Sequence, residues 1–279
     1  MGDFDLDTRV RGGDGRYRAT LSRDWEIWGP NGGYLAAIAL RAAGCEATIA
    51  RPAAFYGHFL SVASFGDVDV DVAPIRIGRS SEAFRVAVSQ AGKPVFEGMV
   101  RTAGDAGGLE HAEGGPPDVP HPDALETWED VARRKGLDLD GPRFPFWGNI
   151  EGRVTDPGRV GNHDTRSAPR LAEWYRFRPR ATFDDPWVDA GRYVVLVDTL
   201  SWPAAVRAHV PTDYTAPSLD VMVWFHGAVP DEPWLLADHV APVGHGGLIG
   251  THGRVWSTDG RLVASGGSQL FCIPPRRPG

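Results

Sequence analysis

Apolar and polar residues alternate with a period of two in both halves of the chain. The alternation is clear over residues 68–72 and 84–88 and looser over residues 219–226. Side chains of a β-strand point alternately to its two faces, so this pattern predicts antiparallel strands that each bury one face. Turns at Gly92 and Gly260, 168 positions apart, stand before the last strands of the two halves, and glycine turns between apolar runs predict hairpins.

Two apolar stretches with little charge predict one buried helix in each half. They cover residues 32–43 and, about 166 positions later, residues 199–208. The chain therefore predicts the same order twice: a strand, a helix and then several long strands. Similarity at one fixed offset indicates an internal duplication. The alternative is a chance similarity between two unrelated α+β domains.

A stretch rich in Gly and Pro and without periodicity, residues 104–122, separates the two series and predicts a linker. Residues 124–135 place Leu125, Trp128 and Val131 on one face and predict a short helix. We therefore divide the chain into an N-terminal domain, a linker with a short helix, and a C-terminal domain, covering residues 1–103, 104–143 and 144–279.

The overall charge argues against one class of partner. The chain has 36 Asp and Glu against 29 Lys and Arg, a net charge of −7, and no basic stripe, so we expect no nucleic acid. No apolar stretch approaches the roughly 18–20 residues that cross a bilayer, so we expect no membrane span. Two cysteines are too few for a disulfide framework, and the acidic residues 1–7 are unlike a signal peptide. We therefore expect a cytoplasmic protein.

Motifs for metals and nucleotide cofactors are missing from the sequence. His239, His245 and His252 are loosely spaced, without a His-Glu-x-x-His motif or a cysteine pair beside them. We expect these histidines on the surface of loops and strands, and we predict no metal site. The sequence also lacks a Gly-x-Ser-x-Gly elbow and the Rossmann and Walker A glycine patterns. We therefore predict no organic cofactor and no serine acyl-enzyme.

Several motifs of the second half follow one another in a fixed order. They are Leu-Val-Asp-Thr-Leu at residues 196–200, Ser-Leu-Asp-Val-Met-Val-Trp-Phe-His at 218–226, Gly-Gly-Leu at 246–248, and Asp-Gly-Arg-Leu-Val-Ala-Ser at 259–265 followed by Gln269. This set resembles the double-hotdog acyl-CoA thioesterases of the bacterial thioesterase II type. A hotdog is an antiparallel sheet wrapped around a central helix. The resemblance therefore implies an α+β double hotdog, in agreement with the duplicated order.

The resemblance implies hydrolysis of acyl-CoA thioesters by direct attack of water, without cofactor or metal. In that family an Asp, a Thr or Ser, and a Gln hold the water, and by position in the motifs these are Asp198, Ser218 and Gln269. Ser218 keeps the hydroxyl of the commoner Thr. Gln269 lies one residue later than the family spacing, and such a slip reverses the face of a strand residue unless a bulge at Gly266 and Gly267 absorbs it.

We expect Asp198 directly after an apolar strand, residues 194–197, and at the start of the second helix. Apolar surroundings would raise the pKa of its carboxyl, whereas a helix N-terminus would lower it. A carboxylate there can act as general base towards water. The alternative role is an ordinary helix cap, for which Asp is a preferred residue.

The resemblance also indicates residues that contact the substrate. Free N–H groups at a helix start can face the thioester oxygen, and the candidates in the first half are Gly32 and Gly33. Trp202 and Trp224 flank the catalytic candidates and are expected to line an acyl channel. Gly246 and Gly247, from the closing motifs, complete the predicted substrate contacts. Analogy with the family also implies a homodimer.

Two other functions stay open at this point. A hotdog hydratase acting on enoyl-CoA needs an Asp–His acid–base pair at a helix, and the sequence has no such motif. A non-catalytic protein that binds acyl-CoA or lipid needs only the fold, and Asp198 would then serve as a cap.

Overall fold

The computed structural model describes residues 1–138, 144–162 and 164–275. The helices are α1 (Phe4–Asp7), α2 (Gly32–Glu46), α3 (Trp128–Arg134), α4 (Pro186–Thr199) and α5 (Ser201–Ala205). The strands of the first half are β1 (Arg11–Gly13), β2 (Arg16–Leu21), β3 (Pro52–Phe59), β4 (Gly66–Ile77), β5 (Ser81–Gln90) and β6 (Lys93–Ala103). Those of the second half are β7 (Ile150–Arg153), β8 (Arg170–Phe177), β9 (Asp220–Phe225), β10 (Leu235–His245), β11 (Leu248–Trp256), β12 (Leu262–Gly267) and β13 (Gln269–Phe271).

The strands of the described residues form one antiparallel sheet. Its order is β1-β2-β4-β5-β6-β3-β9-β12-β11-β10-β8-β7, with β13 paired to β11. The two halves join where β3 lies antiparallel to β9, with Ala54 opposite Trp224 and His58 opposite Asp220. Outward from this junction the strands follow the same sequence on both sides. The predicted duplication is therefore present in the backbone.

Two buried helices, α2 and α4, pack against each other on one face of this sheet. Their side chains are almost all buried, and Ile38, Leu40, Val194 and Val197 have no exposed surface. Burying one such side chain contributes roughly 1.5–3 kcal/mol relative to leaving it in water, so the helix pair forms the centre of the core. Among the described residues, no helix is both long and apolar enough to cross a membrane.

The predicted second helix is wrong in position. Residues 194–197, interpreted as a strand, form the last turns of α4, and only α5 and a short 3₁₀ helix fall within residues 199–208. The N-caps of α2 and α4, Asn31 and Asp185, are 154 positions apart, whereas the hairpin turns are 168 apart. The second half has extra residues between its helix and the next strand, so the strand offset does not hold for the helices. A short apolar run also fits a strand and a buried helix equally well.

The strands predicted from alternation and the two predicted hairpins are confirmed. Residues 68–72 lie in β4 and residues 84–88 in β5, each with alternating burial. Gly92 and Gly260 lie in the turns between β5 and β6 and between β11 and β12, with φ of 76° and 82°. A residue with a β-carbon rarely adopts these values, so the turns require glycine.

The segment between the halves packs against the second half of the sheet, on the face away from the helices. The carbonyl of Pro120 accepts a hydrogen bond from Trp174 Nε1 at 2.9 Å. The predicted helix is present as α3, which buries Val131 against Val154 and Val160. Residues 139–143 of the predicted linker and residues 276–279 of the predicted C-terminal domain lie outside the described residues. The division into domains stays a prediction.

The two buried helices run in opposite directions and touch closely at both ends. At one end a β-carbon on Gly33 would lie 2.8 Å from Val195 Cα and 3.3 Å from Asp198 Cβ. At the other end a β-carbon on Gly44 would lie 2.4 Å from two ring atoms of Trp187. With the N-caps aligned, Gly44 corresponds to Asp198 and Trp187 to Gly33. The same contact therefore brings a carboxylate to one end of the pair and an indole ring to the other.

We expect Gly44→Ala to lower the free energy of unfolding by about 1–3 kcal/mol, because the added methyl group overpacks a buried ring that has little room to move. Helix propensity alone predicts the opposite sign, a gain of up to about 1 kcal/mol. Urea unfolding followed by circular dichroism measures the difference. Gly13→Ala is the control, because a β-carbon on Gly13 meets nothing within 4 Å. A stabilised Gly44→Ala protein would contradict the close contact.

Candidate active site

Asp198 lies in the last turn of α4 and is only 5% exposed. It faces the first turn of α2, where a β-carbon on Gly32 would lie 2.9 Å from Asp198 Oδ2. Glycine at 32 and 33 lets the two backbones approach this closely. The carboxylate therefore lies at a helix N-terminus, as predicted, but the helix belongs to the first half. The expectation that Asp198 begins its own helix is wrong.

Asn31 fixes this junction between the two helices. It is the N-cap of α2, and its Oδ1 accepts a hydrogen bond from the backbone N–H of Tyr34 at 2.8 Å. Its Nδ2 donates to Thr199 Oγ1 at 3.0 Å, directly after Asp198. One side chain thus caps α2 and holds the end of α4 beside it.

Burial raises the pKa of Asp198 to about 6. The Ser218 hydroxyl, the backbone N–H of Gly33 and the Ser268 hydroxyl act in the opposite direction, because donors favour the ionised form, while the nearby charge of Asp220 raises the pKa further. A carboxyl group with this pKa is ionised at neutral pH and is still basic enough to accept a proton from water. The site thus has the properties of a general base.

The structure brings Ser218 to Asp198, as the motifs predicted. Ser218 comes just before β9, and its backbone forms an isolated bridge with Leu270 of β13. The junction of these two segments lies under the end of α4. Phe59, at the end of β3, lies against Gly32 and forms an aromatic wall that sequence analysis did not single out.

Gln269 is held by its backbone rather than by its side chain. In the described residues the hydrogen bonds of Gln269 come from its backbone: its N–H donates to Asp220 Oδ1 at 2.8 Å, and its carbonyl accepts from Leu219 N at 2.8 Å. Its side chain is half-buried, whereas Ser268 and Leu270 on either side are buried. Ser268 is the neighbour that lowers the pKa of Asp198. The one-residue offset in the closing motif was the signal for this residue.

Two buried atoms at this site lack a hydrogen-bond partner in the part of the chain that the structure describes. They are Asp198 Oδ1 and Ser268 Oγ. Buried polar atoms are nearly always paired, and an unpaired group at a site is available to a polar ligand. The arrangement can therefore hold a small polar molecule next to the carboxylate.

The other predicted substrate contacts differ in position. Trp202, on α5, packs against a cluster that contains Leu270 and therefore lies near the site. Trp224 is 47% exposed and lies on the face of β9 opposite to the buried Val223, away from the helices. Strand alternation therefore directs Trp224 away from Asp198. Gly246 and Gly247 form the turn between β10 and β11, with φ of 60° and 81°, and are exposed. The positive φ values of this turn are sufficient to explain why both residues are glycine.

No group of three or more His, Cys, Asp or Glu side chains suited to a metal ion occurs in residues 1–138, 144–162 and 164–275. We expected His239 at the surface, but it is fully buried on β10. There burial lowers its pKa to about 3. The surface position predicted for this histidine is wrong.

The opposite end of the helix pair has a cavity of about 250 Å³ lined by Pro52, Pro186, Tyr193 and Phe225 among others. Pro186 occupies the first position of α4, as Gly32 does in α2. At this end Trp187 contacts Gly44, and these two residues occupy the positions that Gly33 and Asp198 occupy at the first end. Asp189 also lines this cavity, but its carboxylate is bound by Arg192 and Tyr193 and is therefore not a counterpart of Asp198.

Comparison with known proteins identifies the family and supports the fold. Residues 21–103 match the model of the acyl-CoA thioesterase N-terminal domain, and residues 116–271 match the C-terminal domain. An acyl-CoA thioesterase II, TesB2, from Mycobacterium marinum is 22% identical, with 98% of this chain and 99% of that chain covered and a TM-score of 0.78. A tesB protein from Mycobacterium avium subsp. paratuberculosis is 22% identical, with 97% and 98% covered and a TM-score of 0.76. A protein with a hot dog fold from Alicyclobacillus acidocaldarius is 21% identical, with 99% and 100% covered and a TM-score of 0.81. The predicted double hotdog is confirmed.

The raised pKa of Asp198 makes stability depend on pH. The folded protein holds this proton up to about pH 6, whereas the unfolded chain releases it near 3.8. Stability from this group is therefore present below about pH 4 and is lost as pH rises towards 6, by about 3 kcal/mol. We expect Asp198→Asn to gain stability relative to the unaltered protein as pH rises from 4 to 7. Urea unfolding at several pH values measures this, with the exposed Asp118→Asn as control. A difference that does not change with pH would contradict the raised pKa.

Proposed function

Because this chain belongs to the acyl-CoA thioesterase family, we propose that Asp198 is the general base of its thioester hydrolysis. The observation that carries this assignment is the buried carboxylate with a pKa of about 6 at the N-terminus of α2, beside the Ser218 hydroxyl. A water molecule held by these groups gives a proton to Asp198 as its oxygen attacks the thioester carbonyl. The carbon–sulfur bond then breaks, and the CoA sulfur takes up the proton from Asp198. The products are the free acid and CoA.

The oxygen of the attacked carbonyl becomes negative and needs a donor. The first N–H groups of a helix have no partner within the helix. In α2, Tyr34 N–H is bound by the Asn31 side chain, Leu35 N–H by the Asn31 carbonyl, and Gly33 N–H acts on Asp198. We assign the remaining donor, the half-buried Gly32 N–H, to the thioester oxygen.

A hydratase and a passive carrier are the alternatives. A hydratase would need a histidine beside Asp198, and the groups that act on this carboxyl among the described residues are hydroxyls, an N–H and Asp220. A carrier would not need a carboxylate whose burial opposes its charge. The unpaired Cys45 and Cys272 fit work in a reducing compartment such as the cytoplasm. The homodimer stays a prediction.

We expect Asp198→Asn to lower kcat/KM by about 10²–10⁴-fold, because the amide cannot accept the proton. Thiol release from a panel of acyl-CoAs of different chain length measures the rate, with Asp118→Asn as the control. The rate of the unaltered enzyme should fall as pH drops below about 6, because Asp198 then becomes protonated. Binding of acyl-CoA without thiol release would favour the carrier, and hydration of enoyl-CoA without thiol release would favour the hydratase.

We expect each chain to bind one substrate molecule, although the fold is duplicated. The second end has Trp187 and Gly44 in place of Gly33 and Asp198. Titration calorimetry with an acyl-CoA thioether, which cannot be hydrolysed, gives the number of sites per chain. A value of two would show that the second end still binds substrate.

A further inference from the structure

We propose that the Ser268 hydroxyl, rather than the Gln269 amide, is the third group that holds the attacking water, together with Asp198 and Ser218. This assignment rests on the proposed hydrolysis and adds a catalytic residue that the motifs did not indicate. Four features of the described residues support it.

The first feature is the placement of the side chain. Ser268 is 5% exposed, and Leu270, two positions later, is buried as well. Gln269 is half-buried and Phe271 is exposed. Side chains of an extended segment alternate between faces, so Ser268 lies on the helix-facing side and Gln269 on the other.

The second feature is the way in which Ser268 is held. Its backbone N–H donates to Thr251 Oγ1 at 3.0 Å, and its carbonyl accepts from Thr251 Oγ1 at 2.8 Å and from Thr251 N at 3.0 Å. Thr251 Oγ1 is also 2.9 Å from the hydroxyl of Ser201, in the turn after Asp198. One threonine therefore links the Ser268 backbone to the helix end that carries the carboxylate. A side chain on a backbone fixed in this way is preorganised.

The third feature is the pair of unpaired oxygens. Ser268 is near enough to Asp198 to lower the pKa of its carboxyl, yet neither Ser268 Oγ nor Asp198 Oδ1 makes a direct hydrogen bond in the described part of the chain. Two buried, unpaired oxygens on neighbouring side chains fit a water molecule that bonds to both of them. A hydroxyl offers one donor and two acceptor positions, so it can orient water without competing for the carboxylate.

The fourth feature is the backbone of Gln269. Its N–H and carbonyl are both bound, to Asp220 and to Leu219. A shift of the strand by one residue would place Gln269 towards the carboxylate and Ser268 away from it. This shift would break the two backbone hydrogen bonds of Gln269 and the three hydrogen bonds between Ser268 and Thr251. The register is therefore fixed with serine towards the carboxylate.

We test this by comparing Ser268→Ala with Gln269→Ala in the intact protein. Loss of a hydrogen bond in a charged network lowers a rate by about 10- to 100-fold, and we expect this fall in kcat/KM for Ser268→Ala, mainly through kcat. Gln269→Ala should lose clearly less. Ser265→Ala, a strand serine that contacts His226 instead, is the control and should keep its activity.

The pH profile separates a role at the water from a structural role. Ser268 lowers the pKa of Asp198, so its removal should move the acid limb of kcat/KM to higher pH. Affinity for the acyl-CoA thioether should be unchanged in Ser268→Ala, which shows that the site is still folded. An acid limb that stays in place, or a greater loss in Gln269→Ala than in Ser268→Ala, would overturn the proposal.

The outcome for Asp198→Asn keeps this proposal distinct from the proposed function. If Asp198→Asn is inactive and Ser268→Ala is fully active, the general base stands and only the assignment of Ser268 falls. If Asp198→Asn releases thiol like the unaltered enzyme, the general base is elsewhere and both proposals fall.

Discussion

The close approach of α4 to the first turn of α2 is the contact on which the environment of the Asp198 carboxyl depends. A carboxylate at the end of its own helix faces the partially negative C-terminal dipole, which opposes ionisation. Here Gly32 and Gly33 let the N-terminus of a second helix come within contact distance, so that a positive helix end compensates. Asn31 caps the second helix and bonds to the end of the first. Neither half of the chain contains this arrangement by itself.

This contact also explains why the acidity of Asp198 is intermediate. Burial alone favours the neutral acid, and the Asp220 charge adds to that effect, whereas Ser218, Gly33 and Ser268 favour the anion. Asp189 shows the alternative: it is equally buried but is bound by the Arg192 guanidinium and the Tyr193 hydroxyl. A carboxylate satisfied in that way supports the fold and has no capacity left for water. Asp198 keeps an unpaired oxygen, and a buried oxygen without a partner costs stability.

Residue patterns were sufficient for those parts of the structure that depend on neighbours along the chain. Strand alternation located β4 and β5, and the turn glycines located both hairpins, because burial of one face and positive φ are local requirements.

The second helix was misplaced because the offset between the copies changes where residues are inserted after α4. Local patterns could not predict that the N-terminus of α2 lies beside Asp198. The two are more than 160 positions apart in the sequence, and only packing brings them together. The position of Ser268 beside Asp198 was missed for a smaller reason: a shift of one residue in a strand exchanges its faces, and sequence spacing alone does not fix the register.

The two ends of the helix pair differ, and this difference has a physical reason. Two like copies would place a buried carboxylate at each end of the helix pair, and each would be ionised in an apolar core at neutral pH, against its desolvation. At the second end a glycine, Gly44, stands at the position of the carboxylate, and the space is filled by Trp187. That indole buries a large apolar surface where the first end keeps open polar atoms. One end of the helix pair therefore stabilises the fold, and this stability allows the other end to keep a charged group that is only partly satisfied.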